Sequence, residues 1–104
     1  MIRQFEVFAT PESRGASAAP LICVLQSHHL EALNTVIVAP MLIATSLPTS
    51  SQAAVPIILD GVDYLLDLTL MAHFERRALR SVVASLADHE DDIRHALDRL
   101  FTGF

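Results

Sequence analysis

Two apolar runs, residues 55–59 and 62–70, meet at Asp60-Gly61, and this junction constrains the fold more than any other feature of the chain. An Asp-Gly pair readily takes the positive φ angles of a two-residue type I′ turn, so the two runs read as the arms of a β-hairpin. Along the second arm Val62, Tyr64, Leu66, Leu68 and Leu70 alternate with Asp63, Leu65, Asp67 and Thr69. One face of that arm therefore belongs to a core.

Residues 4–8 alternate briefly and are rich in strand formers, which predicts a short half-buried strand. Residues 9–20, with Pro11, Gly15 and Pro20, read as a surface loop. Residues 21–26 and 35–39 read as two more strands, the second stopped by Pro40; one helical turn follows over 41–46 and a polar loop over 47–54. From 71 to 87 the apolar residues Met71, Phe74, Ala78, Val82 and Leu86 recur at spacings of three and four, a helical pattern without a clean cap. The last segment reads as an amphipathic helix. Asp88 is placed as N-cap, Glu90, Asp91 and Asp92 fill the first turn where the dipole favours anions, and Arg94 and Arg99 follow. Ile93, Ala96, Leu97, Leu100 and Phe101 form the apolar stripe, Phe101 is expected to cap the chain's own core, and Gly103 is placed as the stop. For Phe104, own core and partner contact stay open.

A length of 104 residues predicts one domain, 1–104. At 52% hydrophobic and 18% charged, the chain is too apolar for disorder and leaves surface for a partner. Its net charge of −5, with scattered arginines as the only cations, speaks against direct nucleic-acid binding. The lone cysteine, Cys23, lies in an apolar run and reads as a packed thiol in a reducing, cytoplasmic compartment. No export or membrane segment is expected, because Arg3 and Glu6 interrupt the amino terminus and Pro40 breaks the longest apolar run.

The candidate chemistry is thin. His89-Glu90 begins like a zinc-protease helix, but Ile93 stands where the second histidine is needed. Asp91 or Asp92 with His95 reads as a solvated pair, and His28 and His29 in extended chain would point to opposite faces. The serines lack a nucleophile elbow, Asp60, Asp63 and Asp67 read as hydrated, and Gly15, Gly61 and Gly103 form no phosphate loop. The expectation is no metal, no cofactor and no enzyme.

Several strings in order resemble the CcdB family of plasmid and chromosomal toxins: Gln4-Phe5, then Glu12-Ser13-Arg14, then Val24 with Gln26-Ser27, then Val38 and Pro40. The tail is the most specific part, with Leu86, Asp92-Ile93, Ala96-Leu97, Phe101 and Gly103 followed by a final apolar residue. This resemblance implies a small α+β fold, a curved and mainly antiparallel sheet like a Src-homology-3 barrel (CcdB/MazF-like), closed by the C-terminal helix and paired as a homodimer. It also implies extended chain from Met71 to about Leu79, against the helical spacing. Toxins of this kind are not catalysts. They bind the A subunit of DNA gyrase, trap the cleaved-DNA complex as topoisomerase poisons, and are neutralised by a CcdA-like antitoxin.

Carried over residue by residue, the gyrase-facing set is Ser27 and Leu30 after the second strand, Asp92, His95 and Asp98 on the helix, and Phe101, Thr102, Gly103 and Phe104 in the tail. Thr102 stands where the best-known pattern has tryptophan, Phe104 where it has isoleucine, and His28-His29 where it has an acidic-aliphatic pair. Two rivals follow: a decayed dimeric interaction domain without gyrase activity, and a MazF-like endoribonuclease, which would need a basic RNA groove.

Overall fold

A computed structural model describes residues 2–11, 19–30, 32–44 and 53–103. The strands are β1 (Glu6–Ala9), β2 (Leu21–Val24), β3 (Thr35–Ile43), β4 (Ala54–Leu59), β5 (Val62–Asp67), β6 (Ala72–Glu75) and β7 (Val82–Ser85), followed by the helix α1 (Glu90–Thr102). They form one antiparallel sheet in the order β4-β5-β3-β2-β1-β7, with β6 also paired to β3. The long strand β3 holds it together: residues 35–38 pair with β6 and 41–43 with β5 on one side, while 38–41 pair with β2 on the other. Sharing one strand among three partners curls the sheet into a half-barrel, and α1 packs across β4 and the turn at 68–70. The expected α+β fold is the one observed.

The hairpin forms as its sequence requires. Asp60 and Gly61 have φ of 51° and 78°, and Leu59 pairs directly with Val62 across them. The second arm ends earlier than the alternation suggests, at Asp67. There the Asp67 carboxylate accepts from the Thr69 backbone N–H (3.0 Å) and hydroxyl (2.6 Å), a local competitor that turns the chain into a 3₁₀ turn at Leu68–Leu70. Leu66 and Leu68 are buried, whereas Val62 and Leu70 are exposed.

Three other expectations are corrected. Pro40 does not end β3, which runs to Ile43, so the first half of the expected helical turn, residues 41–43, is strand, while residues 45 and 46 lie outside the described residues. Leu25 N–H donates to Ile37 O, so alternation aims the backbone groups of Ala39 and Met41 at β2 and those of Pro40 away from it. Pro40 thus meets the gap between β6 and β5, where a missing donor breaks no ladder. Residues 71–87 are not helical: β6, a 3₁₀ turn at Arg76–Ala78, β7 and a second turn at Ala87–His89 occupy them. The implied extended chain is present over Ala72–Glu75, is interrupted by the 3₁₀ turn at Arg76–Ala78, and resumes as strand at Val82–Ser85. Finally, α1 starts at Glu90 with His89 as N-cap and no side-chain cap, because Asp88 is drawn into the preceding 3₁₀ turn. Part of each predicted loop, residues 12–18 and 47–52, lies outside the described residues; Ala9 and Ala54, at their ends, belong to strands.

The centre of the sheet carries a core cluster on each face, which is why β2 and β3 read as continuous apolar runs. Val7, Cys23, Ala39, Met41 and Leu66 face the helix and pack with Ile93 and Ala96. Phe8, Ile22, Val24, Val36 and Val38 face the other way and are covered by Leu79, with Phe74 against them. Cys23 lies fully inside, and burial pushes its thiol up from 9.0 to about 12. The unfolded thiol ionises above 9.0 while the folded one keeps its proton, so the unfolded state binds fewer protons there. Stability therefore falls as pH rises from 9.0 towards about 12. Urea titrations between pH 8 and 10.5 are expected to show this slope, reduced in Cys23→Ala; an unchanged slope would contradict the burial assignment. A thiol reagent at pH 8 should likewise modify Cys23 only after unfolding.

Candidate functional site

The helix α1 carries most of the candidate residues, and its construction explains which of them are available. Glu90, Asp91 and Asp92 occupy the first turn, complementing the helix dipole as expected, and Glu90 pairs with Arg94 one turn on at 2.7 Å. Ile93 and Ala96 are buried, with Leu97 and Leu100 half-buried beside them, so four of the five stripe residues anchor the helix. The fifth does not. Phe101 is 70% exposed, which corrects the expectation that it caps the core. At ~100° per residue it lies about 80° round the helix from Ile93, past the edge of the buried arc.

Gly103 ends α1 in the left-handed region at φ 81°, and its N–H donates to Arg99 O at 3.1 Å. Thr102 adds a second closure, its hydroxyl donating to Asp98 O at 2.6 Å. The exposed Phe101 therefore stands on a terminated, hydrogen-bonded helix end. Phe104 lies outside the described residues.

The candidate residues do not form one spot. His95, Asp98 and Thr102 make a stripe along the outer side of α1, all exposed. Asp92, with His95 and Arg99, borders a groove against Ala54, Val55 and Pro56 of β4, whereas Phe101 is on the opposite flank. Together they span the solvent half of the helix. Ser27 and Leu30 sit elsewhere, on the β2–β3 connection. Neighbouring His28 lines a cleft with Glu6, Ser85 and Glu90, so this connection abuts the first turn of α1. The tail lies about 18 Å further along the axis at ~1.5 Å per residue.

The connection is a 3₁₀ turn at His28–Leu30, so the two histidines do not splay to opposite faces as extended chain would place them. Their rings tilt together with centroids 4.6 Å apart. The Ser27 Oγ accepts from the His29 N–H at 3.2 Å, and Leu30 is 50% exposed. His28 is half-buried with its Nδ1 enclosed. Sequence reasoning missed two neighbours. Leu33 is as exposed as Leu30, and Arg76 reaches both residues from 43 and 46 positions away, a distance at which no local pattern signals a contact.

Among the described residues no group of three His, Cys, Asp or Glu side chains gathers, and no helix is long and apolar enough to cross a membrane. What the arrangement offers chemically is a surface: an exposed aromatic, flanking carboxylates and histidine, and a helix end closed by glycine. No curated protein matches the chain. The family model described as CcdB protein matches residues 4–103, covering the sheet, the β2–β3 connection and α1 through Gly103. On that match and on the fold built here, the chain belongs to the CcdB family.

Proposed function

We propose that the protein is the toxin of a type II toxin–antitoxin module, acting in the cytoplasm as a homodimer that binds the A subunit of DNA gyrase and traps the cleaved-DNA complex. A CcdA-like antitoxin neutralises it. The observation that carries this reading is Phe101, 70% exposed on an ordered helix end within the family match. Burying such a side chain in a partner is worth about 1.5–3 kcal/mol, and aromatic residues are favoured anchors of interfaces. His95, Asp98 and Thr102 supply polar rim contacts on the same helix. The action is occupation of a partner's surface, with no bond made or broken by the toxin.

Growth is the direct test. Expression of the protein alone should arrest its host, and co-expression of an antitoxin encoded beside it should restore growth. Normal growth at equal expression would count against the reading. The homodimer is supported by the exposed apolar residues Ile37, Ile58, Leu70, Val82 and Val83, a surplus that a chain this small covers by association. Light scattering at micromolar concentration should give twice 11.4 kDa, and a mass near 11.4 kDa would contradict it.

A further inference from the structure

Arg76 follows β6 and spends its donors on one target. Its backbone N–H donates to Asn34 O at 2.9 Å, its Nε to Leu33 O at 2.5 Å and a terminal guanidinium nitrogen to Leu30 O at 3.0 Å. All three carbonyls belong to the β2–β3 connection. Within that connection the Leu30 N–H donates to Ser27 O and the Leu33 N–H to Leu30 O, each at 3.1 Å. Leu30 O thus accepts from both Leu33 and Arg76. The guanidinium is planar and presents its donors in a fixed fork, so it sets the spacing of the Leu30 and Leu33 carbonyls as an ammonium cannot. Both leucine side chains are half exposed, outside either core cluster. A clamp that fixes backbone beneath two outward leucines does little for the core; it prepares an apolar surface in advance, which removes ordering cost from binding.

We propose that Arg76 is a positioning residue for gyrase recognition: it locks the β2–β3 connection so that Leu30, together with Leu33, is presented as a preformed apolar contact. This rests on the gyrase reading above and adds Leu33 and Arg76 to it. The test compares wild type, Arg76→Gln, Arg76→Lys, Leu30→Ala/Leu33→Ala, and that double variant carrying Arg76→Gln. Amide hydrogen exchange, melting temperature and affinity for the A subunit of gyrase by titration are measured for each. In Arg76→Gln the Leu30 and Leu33 amides should exchange about tenfold faster with the β4–β5 hairpin unchanged, and gyrase affinity should fall about tenfold. Arg76→Lys should fall between. In the double-leucine background Arg76→Gln should cost less than about twofold further, because the residues it positions are gone. Unchanged exchange, faster exchange throughout the protein, or fully additive losses would overturn the proposal. Wild type that binds gyrase while Arg76→Gln binds equally well overturns it alone; wild type that does not bind at all overturns the gyrase reading with it.

Discussion

Ile93→Asp unfolds the protein at ambient temperature. Ile93 is fully buried where α1 meets the sheet, among Phe5, Met41, Leu66 and Leu86. The substitution removes an aliphatic side chain worth about 1.5–3 kcal/mol and leaves a carboxylate among apolar groups, with no buried charged or polar residue described there to pair with it. The combined loss, about 4 kcal/mol or more, is a large share of the 5–15 kcal/mol typical of a domain. Leu97→Asp should cost less, since Leu97 is only half-buried and its new carboxylate can reach water. Asp98→Ala, on the exposed side, should change stability by less than about 0.5 kcal/mol. Circular dichroism melts of the three variants check the order; equal losses for Ile93→Asp and Asp98→Ala would contradict the assignment of faces.

The second large effect falls on function. Gly103→Glu should abolish gyrase trapping while the protein stays folded. At φ 81° any L side chain is strained, and a carboxylate at the carboxyl end of a helix opposes its dipole. Both penalties are small, about 1 kcal/mol each, and both fall on a helix end with no neighbour within 4 Å of the new Cβ. The core is untouched. A partner closing on Phe101 and Thr102, by contrast, would meet a new bulky anion where bare backbone allows close approach. Thr102→Trp should act oppositely, adding a stacking surface beside Phe101. Full trapping by Gly103→Glu would remove the tail from the site.

The features legible in the sequence are those fixed by neighbouring residues. Asp60-Gly61 dictates its turn through the φ angles of two adjacent residues, and Gly103 ends α1 by the same kind of local rule. Segment 71–87 was opaque to periodicity because Met71, Phe74, Val82 and Leu86 keep helical spacing while serving strands and turns. Half-buried Phe74 and buried Leu79 are needed to cover the second face of the sheet, a demand set by β2 and β3. Pro40 was misleading for a related reason: its missing donor matters only relative to partners, and β3 changes partners there. The site divides in the same way. Phe101 could be picked out by type and position, but its exposure depends on where the edge of the sheet falls beneath α1. Arg76 could not be found at all without the fold that brings it to Leu30 and Leu33.

The central claim is that this surface poisons gyrase. The most direct test incubates purified protein with gyrase from its own host and supercoiled plasmid, then adds detergent and protease to reveal broken DNA. Linear DNA should accumulate in proportion to added protein, and Gly103→Glu, folded by circular dichroism, should give none. If wild type produces no linear DNA and leaves supercoiling unimpeded at micromolar concentration, the poison assignment is wrong, and the protein is a dimeric interaction domain that retains the fold without the activity.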